Sequence, residues 1–167
     1  RGGRVLDGGP TDRVLTAETA HLPILISNSS GIHAAPIAEH IIGFMLMFTR
    51  GFHKTLRNQI KHVWEKDETI SELGSKTILI VGLGDIGRET ARLAHAFGSR
   101  VLAVARSAHE RPYFVDELAT ADGLNTFLPR ADFVAICLPH TQETHHTFAI
   151  DKFKMMKPTT VVMNIGR

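Results

Sequence analysis

The chain has 167 residues, 43% hydrophobic and 22% charged, which supports one domain with a real core and is too short for two full ones. Nineteen basic residues face seventeen acidic ones for a net charge of +2, and no basic run tracks a phosphate backbone, so nucleic acid is excluded as an expected partner. The longest apolar stretch, Ile41 to Phe48, falls far short of the roughly 20 residues that span a bilayer, so no membrane is expected either.

In chain order, Leu22 to Ser27 reads as a short strand closed by the polar turn Asn28-Ser29-Ser30-Gly31. A helix begins near Pro36, a residue tolerated in a first turn. Ile37, Ile41, Phe44, Met45, Phe48 and Phe52 recur at helical spacing, while Ile42, Leu46 and Met47 make the other faces apolar too. Such a helix is buried on most sides. Either it puts one face on the core and another against a second domain or subunit, or it is a central core helix; the first reading predicts a homodimer through residues 36–52. Arg57 to Lys66 is a polar continuation or linker.

Thr77 to Ile80 is an apolar strand, and Val81-Gly82-Leu83-Gly84-Asp85-Ile86-Gly87 follows it into a helix-patterned stretch, Arg88 to Phe97. Gly82 permits the tight turn, Gly84 lets backbone amides approach a pyrophosphate, and Gly87 lets helix and strand pack closely. The pyrophosphate then sits on a helix N-terminus, where unpaired N–H groups and the dipole favour an anion. The bland alternative is a glycine turn with no ligand. Ile86, Leu93, Ala94 and Phe97 form one helical face, and Gly98 stands where a C-terminal cap is wanted.

Further strands are expected at Arg100 to Ala105, Asp132 to Leu138 and Thr159 to Ile165, with a short strand near Tyr113 to Val115, a helix near Leu124 and another over Asp151 to Met156. Strands alternating with helices imply an α/β fold, a doubly wound parallel sheet with ligands at the C-terminal ends of its strands. The single cysteine, Cys137, lies in the apolar run Phe133 to Leu138. It excludes an intrachain disulfide framework and suits a reduced, cytoplasmic compartment. No signal-peptide pattern opens the chain. Arg1 begins it and Arg167 directly follows a strand-like run, so a piece of something larger is expected.

Four blocks, in order, carry a resemblance: Ile37-Ala38-Glu39-His40 with Gly43 and Arg50; Gly82 to Arg88; Ala131-Asp132 through Leu138-Pro139-His140-Thr141-Gln142-Glu143-Thr144; and Met156-Lys157-Pro158 through Asn164-Ile165-Gly166-Arg167. Together they resemble the nucleotide-binding domain of the D-isomer-specific 2-hydroxyacid dehydrogenases. The resemblance implies a Rossmann-type domain over residues 28–167, incomplete at its C-terminal end, with residues 1–27 a remnant of the substrate domain. It implies an NAD(P)-dependent oxidoreductase that passes a hydride between nicotinamide and a small 2-oxo or 2-hydroxy acid. A dinucleotide-binding sensor or interaction module without catalysis is the alternative.

By that resemblance Asp85 and Ile86 border the pyrophosphate, Leu138 and Pro139 the adenosine side, with Thr144 nearby, and Ile165-Gly166-Arg167 close on the nicotinamide ribose and substrate. The bland reading of Leu138-Pro139 is a strand-ending proline. Arg167 is the family's catalytic position: a guanidinium grips a 2-oxo acid's carboxylate bidentately while polarising the ketone. The family's proton-donor histidine and its glutamate follow the Asn-x-x-Arg block, so this chain alone is expected to be inactive. Gly8-Gly9-Pro10-Thr11-Asp12 only loosely resembles the carboxylate-binding loop. The ten histidines show no metal-ligand spacing and read as surface or capping residues. Where NAD-preferring members end the second strand in an acid, this chain has Ala105-Arg106-Ser107. Loss of the acid and gain of Arg106 favour NADP over NAD, unless Arg106 merely stacks on the adenine.

Overall fold

The computed structural model describes residues 31–66, 69–107 and 110–166. The expected strand Leu22 to Ser27, the 1–27 remnant and its Gly8-Gly9 loop lie outside them. Five short parallel strands, β1 (Thr77–Val81), β2 (Arg100–Val104), β3 (Glu117–Ala119), β4 (Phe133–Ile136) and β5 (Val161–Asn164), line up in the order β3-β2-β1-β4-β5. Around them run α1 (Ala34–Thr49), α2 (Phe52–Ile60), α3 (Asp85–Ala96), α4 (Leu124–Phe127) and α5 (Ile150–Met155). This is the doubly wound Rossmann-type sheet that the alternating pattern predicts.

The central strands are apolar on both faces because both faces are covered. Ile78, Ile80, Val101, Ala103, Phe133 and Ala135 meet Ile41, Ile42 and Met45 of α1 and Ala91 and Ala94 of α3. Leu79, Val81, Leu102, Val104 and Val134 meet Leu124, Phe127 and Leu128 on the other side. Ile78 is flanked in register by Val101 and Phe133. Complete burial of each such side chain contributes roughly 1.5–3 kcal/mol.

α3 reaches the sheet through small residues: Gly87, Thr90, Ala91 and Ala94 are its buried positions. Phe97, expected on that face, is 47% exposed instead, because it is the C-cap, beyond the last turn that touches the sheet. The helix stops as expected at Gly98, whose φ of +81° is open to glycine. Gly98 donates its N–H to the His95 carbonyl and Ser99 to that of Ala94, a Schellman ending.

α1 buries Ala38, Ile41, Ile42 and Met45 but leaves Phe44 36% and Phe48 46% exposed, so it is not a central core helix. The chain breaks at Gly51 (φ +67°), and Phe52 opens a separate helix rather than continuing the first. The short strand forms at Glu117–Ala119, not at Tyr113 to Val115. Val115 is drawn into the core through a turn onto the Pro112 carbonyl, and pairing with β2 begins only when Asp116 donates to Val101.

Asp132 ties three elements together. One carboxylate oxygen accepts from Lys157 Nζ at 2.8 Å and the other from the Thr77 N–H at 2.9 Å, joining the starts of β4 and β1 to the turn before β5. Burial alone would raise this carboxyl; the Lys157 and Thr77 hydrogen bonds outweigh it and hold the group below its ordinary value. A depressed folded-state value means stabilisation that is present above the unfolded carboxyl's value of roughly 3.9 and lost as pH falls through the folded one. Asp132→Ala should therefore lower unfolding stability by about 1–3 kcal/mol at pH 7. In urea melts the gap between variant and parent should close towards pH 2; an unchanged gap would show that the carboxylate's charge is irrelevant.

Candidate dinucleotide-binding site

Successive crossovers leave β1 in opposite directions, towards β2 and β3 on one side and β4 and β5 on the other. The loops beyond β1 and β4 are therefore splayed apart at the carboxyl edge, the place where such sheets take ligands. Gly82 turns the chain there with φ +100°. A Cβ on it would lie 2.9 Å from the Cys137 carbonyl oxygen and 3.1 Å from Leu138 Cδ2, so the turn is pressed against the end of β4. At Gly87 a Cβ would collide with the Gly82 carbonyl. Gly84 differs: its backbone is extended, φ −79° and ψ −165°, a conformation open to any residue, and a Cβ there would meet nothing within 4 Å. Its only demand for glycine comes from the space outside.

Gly84 is the N-cap of α3, with no side-chain cap, so the first-turn N–H groups of Asp85, Ile86 and Gly87 face that space at the positive end of the helix dipole. This arrangement suits a pyrophosphate. The Ile86 side chain packs into the core, leaving its N–H for the site. The Asp85 carboxylate is turned towards Gly31, its Oδ2 3.6 Å from where a Cβ on that residue would stand.

Ala105, just past β2, is almost fully buried and carries no carboxylate, and Arg106 and Ser107 follow it exposed. The Arg111 guanidinium donates to the Val115 carbonyl. On the other side of β1, Leu138, Pro139, Thr144 and Gly166 share a cleft of about 290 Å3 with Asn164 and Phe148. Gly166 donates its N–H to Asn164 Oδ1 at 3.0 Å, and a side chain on it would strike the Leu138 carbonyl. Ile165 donates to the Ile136 carbonyl and packs its side chain on the core. Burial pushes the Cys137 thiol, one residue past the end of β4 rather than within the strand, up to about 12, which keeps it inert. Arg167 lies outside the described residues.

His140, His145 and His146, read from the sequence as surface or capping residues, line this cleft; their signal was three imidazoles within the seven residues 140–146, in the loop beyond β4. Among the described residues no group of three His, Cys, Asp or Glu could hold a metal ion, and no helix is long and apolar enough to cross a membrane. A larger concavity, about 410 Å3, is lined by Gly74, Lys76, Gly98, Ser99 and Arg100. It lies at the amino edge of β1 and β2, away from the glycine turn, where parallel sheets do not bind nucleotides.

A glycine turn opening a helix at the switch point of a parallel doubly wound sheet defines a Rossmann-type domain. Residues 42–167 match the model described as "D-isomer specific 2-hydroxyacid dehydrogenase, NAD binding domain", and the chain belongs to that family. It is 31% identical over 149 residues to glyoxylate/hydroxypyruvate reductase B of Klebsiella pneumoniae, covering 86% of this chain and 46% of that protein. A D-isomer specific 2-hydroxyacid dehydrogenase family protein from Aeromonas salmonicida superposes with a TM-score of 0.78 at 33% identity, over 84% of this chain and 45% of the other. The NADPH-dependent glyoxylate/hydroxypyruvate reductase of Sinorhizobium meliloti, in complex with NADP and sulfate, gives a TM-score of 0.71 at 29% identity, over 80% and 43%. The chain spans between about a quarter and a half of the length of the relatives it matches.

Because Gly84 needs no glycine for its own backbone, Gly84→Val should fold normally yet place two methyl groups where the pyrophosphate belongs. Calorimetric titration with NADPH should show binding to the parent and none to the variant, with matching thermal melts. Equal affinities would remove the glycine turn from the site.

Proposed function

We propose that this chain is the dinucleotide-binding part of an NAD(P)-dependent oxidoreductase that passes a hydride between nicotinamide and C2 of a small D-2-hydroxy or 2-oxo acid. The observation that carries the reading is the open space above Gly84, at the N-terminus of α3, in a chain of this family. Residues 28–167 form the dinucleotide domain and residues 1–27 belong to the substrate domain. The bound nicotinamide supplies or accepts the hydride. The amides of Asp85 and Ile86 hold the pyrophosphate, Leu138, Pro139 and Thr144 border the adenosine, and Ile165 and Gly166 border the nicotinamide ribose. Arg167 grips the substrate carboxylate and polarises its ketone.

NADP is the preferred dinucleotide. A carboxylate at the end of β2 would repel a 2′-phosphate; the buried Ala105 removes that repulsion, and Arg106 and Ser107 offer a cation and a hydroxyl. One charge-assisted hydrogen bond contributes about 1.5–3 kcal/mol, roughly a 10- to 150-fold preference. Dissociation constants for NADPH and NADH should differ by about that ratio in the parent and converge in Arg106→Ala. Equal affinities in the parent would assign Arg106 to the adenine instead.

The protein works in the cytoplasm as a homodimer. Phe44 and Phe48 of α1 and Phe52, Leu56 and Ile60 of α2 are exposed apolar side chains, and a second copy burying them would satisfy the hydrophobic demand of both. Light scattering should give twice the chain mass, and Phe48→Glu should halve it.

The function itself is tested by adding glyoxylate, hydroxypyruvate or pyruvate to the NADPH-loaded chain. Without a positioned general acid the alkoxide takes its proton from water, which costs about 10²–10⁴ in rate. Slow NADPH oxidation, abolished in Arg167→Ala, is the expected result. Steady-state turnover at ordinary enzymatic rates would mean that a histidine of this chain supplies the proton; failure of the chain to bind NADPH or NADH at all would overturn the reading.

A further inference from the structure

Arg88 stands one helical turn after Gly84 and donates its N–H to the Gly84 carbonyl at 2.8 Å. Residues four apart share a face of a helix, and helical side chains lean towards the N-terminus, so the side chain of Arg88 covers the turn that begins at Gly84. A Cβ at Gly84 would meet nothing within 4 Å, which leaves room for a ligand beside the arginine. Aromatic contacts show which flank of α3 this is. The Arg88 guanidinium carbon lies 6.0 Å from the centre of the Phe114 ring, and His95, seven residues further along the same face, meets Tyr113 edge-on at 5.9 Å. Tyr113 and Phe114 belong to the segment that joins β2 to β3. Arg88 therefore stands on the β2 side of β1, the side on which Arg106 and Ser107 leave the sheet.

Arg88 is exposed, and among the described residues its guanidinium makes no hydrogen bond and no ion pair. The acids nearest to it on α3 are directed elsewhere. Glu89 holds Arg92 through two hydrogen bonds of 2.9 and 2.7 Å, and the Asp85 carboxylate is turned towards Gly31. Phe114 is itself packed against the core, so the ring beneath the guanidinium is a fixed platform. A guanidinium held over an aromatic ring keeps its five N–H donors for an oxyanion, and their fork matches a phosphate bidentately.

We propose that Arg88 is a second specificity-determining residue for NADP, its guanidinium joining Arg106 on the 2′-phosphate while Phe114 positions it. This rests on the proposed seating of the dinucleotide and its NADP preference, and adds to them a residue outside the loop after β2. The test is calorimetric titration of the full chain with NADPH and with NADH, for the parent, Arg88→Ala, Arg88→Lys, Phe114→Leu and the double variant Arg88→Ala with Phe114→Leu. Arg88→Ala should bind NADPH about 10-fold or more weakly and NADH as the parent does. Its thermal melt should be no lower than the parent's, since alanine is the better helix former. Arg88→Lys should fall between, keeping the charge and losing the fork. Phe114→Leu keeps an apolar side chain on the core and should narrow the NADPH preference in part; once Arg88 is alanine it should change neither affinity, because it acts through the arginine. Equal affinities of the parent for NADPH and NADH would overturn the NADP reading itself. A parent that prefers NADPH, with the same preference kept in Arg88→Ala, would overturn this inference alone. So would an equal loss of NADPH and NADH, which would put the guanidinium on the pyrophosphate.

Discussion

At Gly87 there is no room for a side chain: a Cβ would collide with the Gly82 carbonyl, and so α3 meets the end of β1 at backbone distance. Gly82 is in turn pinned against Cys137 and Leu138 at the end of β4, and Leu138 leaves no space for anything but glycine at residue 166. The contacts run from α3 across β1 and β4 to the segment after β5. They set the height and direction of the α3 N-terminus above the sheet, and the small buried face of the helix, Thr90, Ala91 and Ala94, lets the rest of α3 follow the same close approach. A larger residue at any of these points would lift the helix and move its first-turn amides away from the crevice.

The chemistry follows from that placement. Backbone N–H groups at a helix start attract an anion without carrying a formal charge, and here the helix starts at Gly84, where a Cβ would meet nothing within 4 Å. The loops after β2 and β4 flank this point on opposite sides because β1 is the central strand, with β2 on one side and β4 on the other. An extended ligand with a charged middle and two different ends suits such a crevice, and the family's dinucleotide has that shape. The Asp132 clamp and the ion pairs of Glu117 with Arg100 and Arg130 lie at or near the amino ends of the strands, so the charges that stabilise the sheet are kept apart from the edge that binds.

The elements were legible where one rule dominated. Continuous apolar runs gave β1, β2, β4 and β5, the glycine spacing gave the turn, and Gly98 gave the end of α3. Where two rules competed the reading slipped. Tyr113 and Phe114 have strand-forming side chains, but the register imposed by β2 starts pairing at Glu117. Phe97 matches the helical period and lies past the point where α3 touches the sheet. Gly51 was passed over as a break because the apolar spacing runs through it. The individual residues of the site were drawn from the resemblance as much as from the residues themselves, and the histidines beyond β4 were set aside as surface or capping residues because proximity across a folded loop leaves no periodic trace.

Amide chemical shifts of the 15N-labelled chain, recorded with and without NADPH, test most directly whether the carboxyl-edge crevice is where the dinucleotide lies. The largest changes should fall on Gly84, Asp85, Ile86 and Gly87, with a second group at Ala105, Arg106 and Ser107 and a third at Leu138 and Gly166. Changes centred instead on Gly74, Lys76, Gly98 and Arg100, at the amino edge of the same strands, would contradict the account.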